Sequence, residues 1–201
     1  MLLHALILAS RANGPGLRAV VFFQGCMLHC RACWNAKSHP FGGSDMTVDA
    51  VAHEVRQAHT EHSLEGVTFS GGEPMQQADS LLQLIQCLRR QAPELSFGMF
   101  SGYTEPELAQ GQYWIWGDGP SDQHRKRLWQ EIRASLDFAI LGRFNQAQPS
   151  NVPLRTSRNQ VLRLFTDSYT LADFSEQLTE VSIKEGGRAE VTGFPTLGLP
   201  W

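Results

Sequence analysis

Short apolar runs alternate with amphipathic stretches along this chain, and the alternation sets out its elements. The runs Leu2 to Leu8, Ala19 to Phe23, Gly66 to Phe69, Leu95 to Phe100, Phe138 to Leu141, Gln160 to Phe165 and Ala189 to Thr192 read as strands. Between them, apolar residues recur at helical spacing. Val48, Val51, Ala52, Val55 and Ala58 share one face behind Thr47, whose hydroxyl suits a helix N-cap. A second helix follows Pro74 with Leu81, Leu84, Ile85 and Leu88 as its stripe, and Ser121 caps a third whose Leu128, Trp129 and Ile132 face inward. A fourth, less cleanly patterned, covers Leu171 to Val181. Strands alternating with helices predict β/α units around a mostly parallel sheet. No Pro/Gly/Ser-rich linker divides the chain, so one α/β domain over residues 1–201 is expected.

Composition leaves that picture standing. A chain of 201 residues, 42% hydrophobic and 18% charged, buries about 70% of its unfolded surface. A net charge of -3 gives no long basic surface for nucleic acid. No apolar run approaches the ~18 residues of a membrane span. The start "MLLHALILAS" lacks a basic flank and carries His4 inside its apolar run, so it reads as a strand rather than a signal peptide. Four cysteines in such a chain favour a metal or redox role over a disulfide framework, and point to the cytoplasm, where thiols stay reduced.

Three of those cysteines, Cys26, Cys30 and Cys33, crowd into "GCMLHCRACWN" at residues 25–35. Structural zinc would need a fourth ligand, and zinc sites usually come as two separated pairs. His29 adjoins Cys30 and converges poorly with it, which makes His39 the better zinc candidate. A ferredoxin-type electron carrier holds its cluster with four thiolates, and the remaining Cys87 reads as an ordinary helix residue lying off its apolar stripe. Three buried small side chains would be the plainest reading, but close spacing in a Gly-flanked loop speaks against it. The remaining reading is a cubane cluster with one iron lacking a protein ligand, an open position for a substrate or cofactor.

The spacing C-x-x-x-C-x-x-C after a strand, followed by "SGGEP" at 70–74 behind "GVTF", resembles the radical S-adenosylmethionine enzyme superfamily. "NGPGLRAVVFFQGC", "CWN", "SGYT" at 101–104, "LDFAILGRF" at 136–144 and "RTSRNQ" at 155–160 resemble, in that order, the activating proteins of anaerobic ribonucleotide reductases and their small relatives with a single 4Fe-4S cluster. The resemblance implies a partial, open (β/α) barrel of the radical S-adenosylmethionine type, with the cofactor across the C-terminal edge of the strands. It implies a 4Fe-4S cluster on Cys26, Cys30 and Cys33, with S-adenosylmethionine on the remaining iron. The implied chemistry is reductive cleavage of that cofactor to a 5'-deoxyadenosyl radical, which abstracts hydrogen from a glycine of a glycyl radical enzyme. A flavodoxin- or ferredoxin-like protein would donate the electron.

By the same resemblance, Gly71, Gly72 and Glu73 border the methionyl amino group, and Trp34 with the backbone around Ala32 lies near adenine. Ser101 and Arg143 fall where ribose or carboxylate contacts belong. Asn159 and Gln160 match the family's "NQ" without an assigned role. No side chain is given acid-base work, because the cofactors break the bonds and the protein binds, orients and excludes water. A radical enzyme acting on a peptide or small molecule, a non-catalytic iron-sulfur carrier and a zinc-stabilised binding module remain as alternatives.

Two features stand outside the pattern. "NGPG" at 13–16 makes a tight turn. The segment 112–130 holds three of the five tryptophans and the basic triplet Arg125 to Arg127, which suggests a docking surface for a partner protein, or else a loop and helix packed on the domain. His59 and His62, near the end of the first helix, complement its dipole.

Overall fold

A computed structural model describes residues 1–117, 119–176, 179–183 and 189–193. The chain starts with two antiparallel strands, β1 (Leu2–Ser10) and β2 (Arg18–Phe23). The first expected strand thus joins the sheet antiparallel, because the short connection between the two permits a hairpin but no crossover helix. A two-residue strand, β3 (Ser44–Asp45), adds to the far side of β1.

Helix α1 (Val48–His62) begins where Thr47 accepts a hydrogen bond from the Ala50 N–H at 3.1 Å, and its buried face is Val51, Ala52, Val55 and Ala58. It leads to β4 (Gly66–Gly71), then α2 (Ala78–Gln91) and β5 (Ser96–Ser101). A short α3 (Glu105–Ala109), absent from the periodic reading, is set by a capping box between Thr104 and Glu107. Next come α4 (Asp122–Ser135) behind the Ser121 cap, β6 (Phe138–Leu141) and β7 (Val161–Leu164).

The sheet order is β3-β1-β2-β4-β5-β6-β7, in which β2, β4, β5 and β6 are parallel and the outer pairings antiparallel. The expected α/β arrangement with a parallel centre is present.

The expected fourth helix is not. Leu171–Phe174 is a single 3-10 turn, and Thr179–Ile183 is a strand, β8, paired antiparallel with β9 (Ala189–Gly193); residues 177 and 178 lie outside the described set. The reason is legible afterwards: Thr179, Val181 and Ile183 alternate with polar residues, a period of two. Phe174 alone anchors the turn, edge-on to Phe138 and Tyr169.

Strand alternation divides the sheet into two faces. Val21, Val67, Phe69, Phe97 and Met99 point to the helices and form one core with Val55, Leu81, Leu84, Ile85 and Leu88. Each fully buried side chain of this kind contributes about 1.5–3 kcal/mol. Phe22, Ser70, Phe100 and Ile140 point the other way and line an open cleft. Below it the fully buried Arg18 guanidinium donates to Thr68, Ser96, Tyr169 and the Pro15 and Val67 carbonyls. Among the described residues no helix is long and apolar enough to cross a membrane.

Candidate active site and metal centre

The cysteine loop leaves β2 at Gln24 and is folded back on itself by backbone hydrogen bonds, Gly25 N–H to Ser38 O at 2.7 Å and Cys26 N–H to His39 O at 2.9 Å. His29 and Ala32 sit in the left-handed region at φ 44° and 56°. Such positions cost a non-glycine residue roughly 1–3 kcal/mol and cluster at ligand sites. The loop is clamped from outside by an aromatic trio. A Cβ on Gly25 would lie 2.3 Å from the Phe41 ring, which in turn stacks on Trp116 at 5.7 Å and meets Trp114 edge-on at 5.2 Å.

Cys26, Cys30 and Cys33 are free thiols lining one cleft, together with Trp34, Gly71, Gly72, Glu73 and Ser101. Burial pushes all three thiols up, Cys26 to about 12 with the Glu73 charge adding to it. Each would release a proton on binding metal. His39 lines the same cleft, and its Nε2 is buried without a hydrogen-bond partner among the described residues. Burial and the neighbouring His29 ring hold its pKa down.

Among the described residues no three His, Cys, Asp or Glu side chains group around one metal ion. A zinc ion requires such convergence, with ligands at ~2.0–2.3 Å, whereas a cubane takes each thiolate on a separate iron. Three thiols on separate turns of one loop, in a cleft with room beside them, fit a 4Fe-4S cluster with an open iron. Cys87 is apart from them. It is buried in α2, within 3.9 Å of Asp49 Oδ1 and 3.3 Å of Gln91 Nε2, as an ordinary helix residue.

The end of β4 packs tightly beneath the cysteine loop. Gly71 has φ +100°, and a Cβ there would fall 2.5 Å from the Phe23 nitrogen; one on Gly72 would fall 2.4 Å from the Gly25 carbonyl. Both glycines line the cleft, but what forbids a side chain is the backbone of β2 and the cysteine loop. Glu73, 1% exposed, accepts hydrogen bonds from Ser101 Oγ at 2.8 Å, Gly102 N–H at 2.7 Å and Met75 N–H at 3.0 Å. Burial outweighs these donors and raises its pKa to about 7.

Ser101 therefore reaches the cleft with its hydroxyl already given to Glu73. Trp34 reaches it edge-on to Phe144, at 6.4 Å. Arg143 stands beside the cleft, between the lining residues Gly142 and Phe144. Its guanidinium pairs with Glu107 at 2.8 Å and lies over the Tyr103 ring at 5.4 Å. Partial burial works against the Glu107 charge, yet hydrogen bonds from Arg143 and Thr104 hold that carboxyl at about 2.

The "NQ" pair has a structural task. Asn159 Nδ2 donates to the Arg143 carbonyl at 2.7 Å, and Gln160 ties Thr156 and Ser157 to Gly142. Sequence reasoning passed over Gln76, which accepts from the Met27 N–H at 2.9 Å and donates to the Tyr103 hydroxyl, and Gln77, which joins Leu2 to Gln24. Two glutamines directly after "SGGEPM", where a helix stripe is due, were the available signal. Asn13, read as part of a tight turn, and Val191 and Thr192, read as part of a strand, also line the cleft, together with Gly193.

Residues 12–163 match the family described as 4Fe-4S single cluster domain. The anaerobic ribonucleoside-triphosphate reductase-activating protein of Haemophilus influenzae is 30% identical over 159 residues, covering 76% of this chain and 91% of that protein. Its namesake from Vibrio cholerae is 27% identical over 159 residues, 77% and 92% of the two chains. The pyruvate formate-lyase-activating enzyme of Clostridium pasteurianum is 34% identical over 92 residues, 44% of this chain and 39% of that one.

Proposed function

We propose, from the premise that this chain belongs to the 4Fe-4S single cluster domain family, that it activates a glycyl radical enzyme, first of all an anaerobic ribonucleotide reductase. The chain is a radical S-adenosylmethionine enzyme of the activating type, with a 4Fe-4S cluster and S-adenosylmethionine as cofactors. The observation that carries the reading is one cleft bringing Cys26, Cys30 and Cys33 together with Glu73.

Cys26, Cys30 and Cys33 would hold three irons. Glu73, with Gly71 and Gly72 beneath it, would take the methionyl ammonium, and a carboxyl poised at about 7 gains its charge as that cation arrives. Trp34 would border adenine. Arg143 adds positive charge near Cys30, favouring its thiolate. When bound, the cofactors supply reductive cleavage of the sulfonium, delivering a 5'-deoxyadenosyl radical that removes hydrogen from glycine Cα. Phe22, Phe100 and Ile140 give the cleft an apolar wall, which would limit water around a bound cofactor. A flavodoxin- or ferredoxin-like protein in the cytoplasm would supply the electron. We read the parallel strands β2, β4, β5 and β6, with the cysteine loop at their C-terminal edge, as part of an open (β/α) barrel.

The test is anaerobic reconstitution with iron and sulfide, then dithionite and S-adenosylmethionine, with Cys30→Ala as control. The native chain is expected to give 5'-deoxyadenosine and, with the anaerobic ribonucleotide reductase of its own genome, a glycyl radical signal by electron paramagnetic resonance. A reducible cluster that yields no 5'-deoxyadenosine would return the carrier reading. A colourless, oxygen-insensitive protein would return zinc.

A further inference from the structure

Strands β8 and β9 lie beyond residues 12–163, outside the stretch that matches the family. They form a separate two-stranded sheet in which Glu180 is opposite Thr192 and Val181 opposite Val191. The face carrying Glu180 and Thr192 is fastened to the turn between β1 and β2. The Ser10 hydroxyl and the Arg11 N–H, the latter at 2.8 Å, donate to the Glu180 carboxylate, and the Asn13 amide donates to the Thr192 hydroxyl at 2.9 Å.

Alternation turns the other face outward. There Val181, Ile183 and Val191 are 62%, 76% and 40% exposed. An isolated two-stranded hairpin is marginal in water, and this one is tethered by its polar face while leaving its apolar face open. Val191 of that face also lines the cleft, as do its neighbours Thr192 and Gly193, so the hairpin forms part of the cleft wall.

The two ends of the cleft are distinguished by the strands. Asn13, which holds the hairpin, precedes β2, whereas the cysteines follow it. Cofactors bound at the cysteines and Glu73 leave the hairpin end for the second reactant. A glycine offers no side chain to grip, so it must be recognised through backbone and neighbouring residues.

We propose that the β8–β9 hairpin receives the protein substrate: an extended, glycine-bearing segment lies across its outward face, its apolar side chains on Val181, Ile183 and Val191 and its glycine directed into the cleft. This rests on the activating function proposed above. The hairpin recognises the substrate and takes no part in bond breaking.

The experiment compares the reconstituted native chain with Val181→Asp/Ile183→Asp, two substitutions at exposed positions away from the cysteines. One assay measures 5'-deoxyadenosine from S-adenosylmethionine and dithionite without protein substrate. The other measures glycyl radical formation against increasing anaerobic ribonucleotide reductase from the chain's own genome. The expected result is an unchanged first assay and a KM for the reductase raised about tenfold or more, with Val181→Ile/Ile183→Val keeping the native KM. An unchanged KM in the Asp variant overturns the proposal. So does an equal fall in both assays, since the face would then support the cleft itself. A native chain that makes 5'-deoxyadenosine but no radical on the reductase overturns the activating function, and the hairpin's role with it, before any substitution is made.

Discussion

The Ser101 hydroxyl, at the end of β5, donates to the Glu73 carboxylate at 2.8 Å, across from the end of β4. Parallel pairing of β4 with β5 brings these two strand ends side by side, so a residue of "SGYT" fixes the acid of "SGGEP". The two motifs act as one unit in space.

Removing that donor should be felt at the cofactor. A hydrogen bond to a charged group contributes about 1.5–3 kcal/mol, so Ser101→Ala should raise the Glu73 pKa further above its ordinary range. We expect KM for S-adenosylmethionine to rise roughly tenfold at neutral pH, with kcat little changed. The deficit should shrink as pH is raised, because alkali restores the carboxylate. A pH-independent KM in the variant would contradict this account.

Glu73 also predicts how the metal-free chain responds to pH. Its folded pKa, about 7, lies above the ordinary value of 4.5. The native state therefore binds more protons than the unfolded one between these values. The stability this group contributes is full below 4.5 and is lost as pH rises through 7. The loss is of order 3 kcal/mol at most. Glu73→Gln stays neutral, so its denaturation midpoint should fall less than the native one between pH 4.5 and 8; parallel curves for the two proteins would refute the assignment.

The Glu107–Arg143 pair has the opposite sign. A carboxyl held at about 2 contributes stability above its ordinary pKa of 4.5, and that contribution disappears as pH falls through 2. Both side chains are partly exposed, at 27% and 43%, so solvent screening brings the effect down to about 1 kcal/mol. Glu107→Gln should thus be less stable than the native chain at pH 6 and equal to it near pH 2, measured by urea denaturation. A difference that persists in acid would mean the substitution acts through packing.

Much of this site was legible because its parts are local. The cysteine spacing, "SGGEP" and the stripes of α1, α2 and α4 each lie within one loop or one helix, where residue type and period are sufficient. Long-range polar partners were not legible. Ser101 and Arg143 read as ribose or carboxylate contacts, and only the folded chain reveals that the first donates to Glu73 and the second pairs with Glu107. Gln76 and Gln77 bond across the chain to Met27, Tyr103, Leu2 and Gln24, which no periodicity encodes. The segment from Leu171 failed for a different reason. Its mixed composition satisfied a loose helical pattern, while the β-branched alternation at Thr179, Val181 and Ile183 decided the fold.

The aromatic trio yields a prediction that separates clamping from docking. Trp114 and Trp116 are 40% and 49% exposed, which is what an interface anchor would show. Both also rest on Phe41, whose ring lies against Gly25, the residue before Cys26. Trp116 is further held by its N–H to the Gln76 carbonyl at 2.8 Å, and Gln76 itself accepts from Met27 in the cysteine loop. Pressure on Phe41 from outside thus keeps the loop closed over the thiols. Trp116→Ala should remove an edge of that clamp, and iron retained after anaerobic gel filtration should fall to about half of native, following a loss of roughly 1 kcal/mol from one aromatic pair. Its KM for the protein substrate, normalised to the cluster-loaded fraction, should stay at the native value. Full iron retention with a raised KM would instead make the tryptophans a docking surface and the stacking on Phe41 incidental.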